Sequence, residues 1–429
     1  MQTVVVVGGG YAGLSACLEL ARRSVRREFQ YGMRLVLVNE EPDHTYTTEL
    51  HSLAVGMDEP DDVLVPLAHV LRAPARLMVG RADAVDTARR AVYVDDDTVE
   101  YDHLVLAVGS VPEDYGIVGV RRYARFLTSA ASAEALQERL DRVAERGYGT
   151  VVLVGAGLTG VELAAEIKDV YKGRLEVLLL EAGETIMAGI DPALAEASRR
   201  LLEDKGVHVR TAVRIQAVDA GTVSVRGRED VPYDVLVWCA GVRGSPLVAR
   251  AGLAVDARGR GLTDAYLRAR GRRDVWLAGD CAAFPMPNGG FLPPTAQAAE
   301  QAGRAVAHNI LQAIAGGEPE PFHPRIRGFF ASLGEWEGVG QVGREEFFGL
   351  PAILVKRLIQ AHHAFEAGGL HNLTRRLWRQ GGRLLWGAAM GEDRFEARLR
   401  ASRPSADGWP EGLETARGPE PPADEALRR

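Results

Sequence analysis

Two glycine triplets, one acidic residue and a pair of glutamines are the parts of this sequence whose types and spacing suit chemistry. Gly8, Gly10 and Gly13 form G-x-G-x-x-G, and Gly155, Gly157 and Gly160 repeat the spacing. In such a loop one glycine makes a tight turn, one lets the backbone approach a pyrophosphate, and the third lets a helix pack on a strand. Free N–H groups and the positive end of the following helix then hold phosphates. Glu162 stands just after the second triplet, where the first turn of a helix is expected. A buried carboxylate there can orient a bound ring or relay protons, whereas an exposed one merely complements the helix dipole. Glu166, one turn further on, shares that face and suits a structural pair at least as well. Gln297 and Gln301 are spaced i, i+4 on a helix that Pro293-Pro294 would start, so both carboxamides share one face. The alanines at 296, 298 and 299 leave room beside them for a flat ligand, although an ordinary polar helix face would read the same way.

The elements that must position these residues recur in order. Val4 to Val7 is a β-branched run suited to a strand buried on both faces. The first triplet follows, then the helical pattern from Leu14 to Arg23, then a strand Leu35 to Val38 that runs into Asn39, Glu40 and Glu41. A side chain at that strand end can bond a ribose hydroxyl. The second copy reads Val151 to Val154, the triplet, a helix from Val161 to Val170, and a strand Leu175 to Leu180 ending in Glu181. A carboxylate in that place accepts from both ribose hydroxyls and repels a 2′-phosphate, which favours NADH over NADPH. Segments ending in Gly109 and Gly241 flank the second copy and read as the two crossings by which the chain leaves a first domain and returns to it. The strand Val275 to Ala278 then sets Asp280 beside the first domain's ligand. The expected class is α/β, with two Rossmann-like dinucleotide-binding domains, the second inserted in the first.

Composition narrows the functions. At 429 residues the chain can build several cores, and 46% apolar with 25% charged residues is ordinary for a globular protein. A net charge of −7 and a pI near 5.9 argue against nucleic acid as a partner, and the positive charge comes overwhelmingly from arginine. Cys17, Cys239 and Cys281 lie far apart, which leaves no redox-active pair, no zinc site and no call for a metal. The first strand opens the chain directly and no apolar run reaches 18 residues, so cytoplasmic residence is expected.

At this point the chain resembles the two-dinucleotide-binding-domain flavoproteins, and within them the type II NADH dehydrogenases, single-subunit NADH:quinone oxidoreductases. The resemblance runs from about Val4 to about Gly369. It is carried by the segments 8–14, 44–51, 155–162, 238–244 and 295–301, above all by Ala296-Gln297…Gln301. It implies a tightly bound, non-covalent FAD in the first unit, with contacts at Gly8, Gly10, Gly13, Asn39, Glu40, Ala82, Gly109, Asp280, Ala296 and Gln297. It implies NADH as substrate in the second unit, with Gly155, Gly157, Gly160, Glu181 and Gly241 around it. Glu162 is implied as a functional carboxylate, and Gln297 and Gln301 as amides beside the flavin at a membrane-quinone pocket. The family often has a basic residue in the stretch 365–369 that can bond the flavin; here that position is Glu366. Sulfide:quinone oxidoreductases are related but need cysteines that hold sulfur at the flavin. Ferredoxin and rubredoxin reductases give no reason for the glutamine pattern. A reductase of a small redox protein, or a flavoprotein that signals by changing partners, stays open.

The expected domains are residues 1–112 and 241–322 for FAD, 113–240 for NADH, 323–400 for membrane docking, and a disordered tail over 401–429. Phe329 to Gln341 suits short strands. Phe347 to Phe365 carries Phe347, Phe348, Leu350, Ile353, Leu354, Leu358 and Ile359, and Leu370 to Trp386 sets Leu and Trp among Arg375, Arg376, Arg379 and Arg383. Such a segment suits an interfacial anchor on the cytoplasmic face of the cell membrane, a helix capping the quinone pocket, or the contact of a homodimer.

Overall fold

The structure, a computed structural model, describes residues 1–24, 32–287 and 289–364. Its main elements run in the order β1 (Gln2–Val7), α1 (Tyr11–Ser24), β2 (Met33–Asn39), β3 (Ala75–Val79) and β4 (His103–Leu106). They continue with α2 (Ala130–Ala144), β5 (Gly149–Val154), α3 (Leu158–Tyr171), β6 (Leu175–Leu180), α4 (Pro192–Asp204), β7 (Val207–Arg210) and β8 (Val235–Trp238). Then come β9 (Val275–Leu277), α5 (Ala296–Ile314), β10 (Gly328–Ser332), β11 (Gly338–Val342), β12 (Glu345–Phe348) and a last helix, α6, over residues 350–364.

The valine runs form strands because both faces of each sheet are covered. Val4, Val5 and Val6 are fully buried in β1, which lies between β2 and β4 with Val4 beside Leu35 and His103. Each such side chain contributes about 1.5–3 kcal/mol by leaving water. The first sheet is parallel, in the order β9-β4-β1-β2-β3. The second, also parallel, is β7-β6-β5-β8, with Val151 between Val177 and Val235. All four strands of the second sheet fall between residues 149 and 238, whereas the first sheet takes β9 from beyond them. Where the chain passes between the two, residues 110–112 pair antiparallel with 242–244, Val111 opposite Arg243.

Helix α5 lies against α1 at very short range. A Cβ on Gly303 would fall 2.1 Å from the Ala12 carbonyl oxygen, so only glycine lets these backbones approach. The glutamine-bearing helix is thereby fixed beside the first glycine loop. Strands β10, β11 and β12 form an antiparallel sheet, and α6 follows. Among the described residues no helix is long and apolar enough to cross a membrane. Residues 365–429, with Glu366, the Leu-Trp-Arg stretch and the tail expected to be disordered, lie outside the described residues.

Candidate active site

Each glycine triplet folds the same way. Gly8 and Gly155 turn the chain with φ of +103° and +100°, a region that side chains disfavour. A Cβ on Gly13 would sit 1.8 Å from the Gly8 carbonyl oxygen, and one on Gly160 would sit 2.0 Å from that of Gly155, so helix and loop touch there. The middle glycines differ: a Cβ on Gly10 or Gly157 would meet nothing within 4 Å. Two open cradles therefore face helix N-termini, and both fit a pyrophosphate.

Around the first cradle, Asn39 accepts from the Gly9 N–H at 2.7 Å and donates to the Glu41 carbonyl, so it shapes the loop itself. Glu40 beside it is exposed, as a ribose contact would be. Ala82 opens the strand 82–86, half-buried, and Gly109 turns at φ +62°. Asp280 accepts from the Ser110 hydroxyl at 3.1 Å; burial pushes its carboxyl up and that bond pulls it part of the way back. Around the second cradle, Glu181 accepts from the N–H groups of Ala156 (2.8 Å) and Gly183 (2.7 Å). Like Asn39, it braces its own glycine loop. Gly241 is exposed at φ +122° near the Tyr115 hydroxyl.

The glutamine pair is where the spacing put it, on one face of α5, although the helix starts at Ala296 behind a Thr295 cap rather than at the prolines. Its amides, however, are engaged. Gln297 donates to the Gly328 carbonyl at 2.7 Å and accepts from the Arg327 N–H. Gln301 donates to the carbonyls of Gln297 and Arg325 and accepts from the Arg325 N–H at 2.9 Å. Free amides aimed at a ligand are thus not what this arrangement presents; the pair pins the strand entering β10. Next to it, a cavity of about 200 Å³ lies between α1, α5 and the end of α6, lined by Tyr11, Leu18, His44, Tyr46, Glu300 and His363.

Glu162 needs a correction too. Helix α3 begins at Leu158, so Glu162 is its fifth residue, past the first turn, and the free N–H groups of the helix end do not explain it. Its partners come from elsewhere. One oxygen accepts from Lys356 Nζ at 2.6 Å and from the Ser332 N–H at 3.0 Å, and the other lies 3.5 Å from His51 Nε2. His51 Nδ1 donates to Glu166 at 2.8 Å, so Glu166 is half of a pair. All four side chains are nearly closed off from solvent. Burial alone would depress the imidazole, but Glu166 and Glu162 raise it to about 9. Burial opposes ionisation of Glu162, and Lys356 with His51 overcomes it, holding this carboxyl low. Burial raises Glu166. A cavity of about 90 Å³ reaches this cluster between Glu49, Ser52, Asp58 and Glu335. No local pattern marks His51, Ser332 or Lys356 as partners of Glu162; the scarcity of lysine is the one signal that singles out Lys356.

The cysteines bear on the alternatives. Cys17 and Cys281 are buried and Cys239 half-buried, all free. Burial pushes the thiols of Cys239 and Cys281 up to about 12, and that of Cys17 higher still, so none is a ready thiolate.

Two parallel sheets, each led by a glycine cradle, define the class. Residues 2–303 match the family of pyridine nucleotide-disulphide oxidoreductases, and the chain belongs to it. More narrowly, it is a type II NADH dehydrogenase: the Type II NADH:quinone oxidoreductase of Staphylococcus aureus is 30% identical over 393 residues, 86% of this chain and 96% of that protein. Solved structures share the fold. NDH2 from Plasmodium falciparum, in complex with NADH, aligns with a TM-score of 0.77 at 15% identity, over 89% of this chain and 98% of that one. The sulfide:quinone oxidoreductase of Aquifex aeolicus gives 0.74 at 20% identity, over 86% and 92%.

Proposed function

We propose that this chain oxidises NADH and reduces a membrane quinone: NADH, one proton and quinone become NAD and quinol, by a ping-pong route and without pumping protons. The observation that carries this reading is the pair of open cradles in one chain, with a buried carboxylate on the helix that leaves the second. FAD, held in the first cradle by Gly8, Gly10, Gly13, Asn39, Glu40, Ala82, Gly109, Asp280, Ala296 and Gln297, would accept the hydride and pass two electrons on. Gly155, Gly157, Gly160, Glu181 and Gly241 would bind and orient NADH. Glu162, which Lys356 and His51 favour in its ionised form, would orient the bound nicotinamide or relay protons at its carboxylate. Gln297 and Gln301 would wall the quinone's approach by fixing the backbone at 325–328. The domain division is proposed as FAD-binding over 1–112 and 241–322, and NADH-binding over 113–240.

The outer side of α6 supports docking on a membrane face. Leu350, Leu354 and Leu358 recur every fourth residue and are 47%, 50% and 69% exposed, with Ile359 and Phe348 beside them. An apolar stripe of this kind suits the interface of a bilayer, where quinones reside. In this reading the enzyme works as a homodimer on the cytoplasmic face of the cell membrane.

The acceptor tests the proposal. Steady-state NADH oxidation should be fast with quinone, in vesicles or as a short-chain analogue, and negligible with a small iron–sulfur protein. The opposite ranking would favour a redox-protein reductase. Slow turnover with both acceptors, together with an NADH-dependent change in oligomeric state, would favour a signalling flavoprotein.

A further inference from the structure

Helix α6 buries Ala352, Ile353 and Ala364 and turns three polar side chains inward beside them. Its outward side carries the exposed leucines, while its inward side carries Lys356, Gln360 and His363, at i, i+4 and i+7. Each of the three meets a carboxylate from a different part of the chain. Lys356 donates to Glu162 on α3 of the second nucleotide unit. Gln360 donates to Glu49 of the first unit at 2.6 Å, and His363 bonds Glu300 on α5. One helix therefore ties both nucleotide units to the glutamine-bearing helix through a ladder of polar contacts.

Lys356 is the rung that reaches the candidate site. A buried ammonium is costly unless its donors are met. Here Nζ donates to Glu162 at 2.6 Å and to the Ser332 hydroxyl at 2.9 Å, and its remaining side faces His51 Nε2 at 3.5 Å. The residue type is informative. Of 51 cationic residues only Lys168, Lys172, Lys205 and Lys356 are lysines. A compact ammonium can sit between a carboxylate, a hydroxyl and an imidazole, where the wide planar guanidinium fork does not fit.

We propose that Lys356 is a positioning residue for the reaction: it sets the charge and aim of Glu162, and so links the redox site to the seating of α6. The inference rests on the role given to Glu162 above. The titratable and charged groups facing Glu162 are Glu166 on its own helix, His51 and Glu49 from the first unit, Lys356, and, around the adjoining cavity, Asp58, Glu335 and Arg357. Of these, Lys356 makes the shortest contact to it. Taking away a cation at that distance should let burial raise the Glu162 carboxyl by roughly 1–3 pH units.

The test is the pH dependence of flavin reduction by NADH in the full-length, FAD-loaded protein. Lys356→Met should move the acid limb of that profile upward by about one unit or more. Lys356→Arg should restore the limb while leaving the rate several-fold low, because charge returns without the fit. In a Glu162→Gln background Lys356→Met should add no further pH change. Should Lys356→Met fail to fold, Ser332→Ala, which removes one hydroxyl contact to each partner, should shift the limb the same way by less. A yellow, folded Lys356→Met protein with the parental profile overturns the proposal. So does a shift that persists without the Glu162 carboxylate, and so does an unshifted Ser332→Ala profile where Lys356→Met cannot be made. If Glu162→Gln alone leaves flavin reduction untouched, the role of Glu162 falls instead. That outcome is read from a different variant.

Discussion

Gly10→Val should give a folded protein without flavin, and Gly157→Val a yellow protein that NADH no longer bleaches. Both positions have open space where a Cβ would go, and neither has a positive φ, so a side chain is tolerated by the fold. That space is what a pyrophosphate would need, and branched carbons would keep the phosphates from the helix N–H groups. Loss of two or three charge-assisted bonds of about 1.5–3 kcal/mol each lowers affinity by several orders of magnitude. Bound flavin per chain and the apparent Kd for NADH check the pair. Gly13→Val and Gly160→Val serve as contrasts. Their side chains would strike the Gly8 and Gly155 carbonyls, so they should fail in folding rather than in binding. The assignment of FAD to the first cradle would be reversed if Gly157→Val lost the flavin and Gly10→Val kept it.

His51→Ala should be the most destabilising single change in the charged cluster. It removes the donor to Glu166 and leaves Glu162 and Glu166, one turn apart on α3, with Lys356 as the one cation in contact with them among the described residues. Removing one partner of a buried pair costs on the order of 3–5 kcal/mol. The pH dependence follows from the direction of the imidazole's shift. Its folded value, about 9, lies above the ordinary 6.5, so the stability it contributes is fully present below about pH 6.5 and is lost as pH rises through 9. Thermal midpoints of the parent and variant should therefore differ most near pH 6.5 and converge towards pH 9. A gap that stays constant across that window would mean that His51 is neutral in the folded protein.

What was legible in the sequence is local. The valine and leucine runs and the glycine spacings show themselves within about thirty residues, because sheet burial and loop geometry act on neighbours. Even there the apolar pattern sets the start of α3 three residues late. That pattern starts at Val161, but Gly157 caps a helix that begins at Leu158, so Glu162 falls past the first turn rather than in it. The spacing of Gln297 and Gln301 puts them on one face, yet apart from the bond between them their amides meet backbone 24 to 31 residues further along. Glu162 was visible as a candidate and its surroundings were not. Ser332 and Lys356 stand 170 and 194 positions away from it, and the His51 to Glu166 bond spans 115. No helix or strand period reaches so far. The polar contacts on the inward side of α6 are hidden for the same reason, since Glu162, Glu49 and Glu300 stand 194, 311 and 63 positions from their partners.

The central claim, that one chain couples a nicotinamide to a quinone through a bound flavin, is tested most directly by following the flavin's visible absorption under anaerobic conditions. The purified protein should be yellow, lose that absorption when NADH is added in equal amount, and regain it when a quinone is added afterwards. A protein that is colourless as purified, or one whose bleached flavin is not reoxidised by quinone, would contradict it.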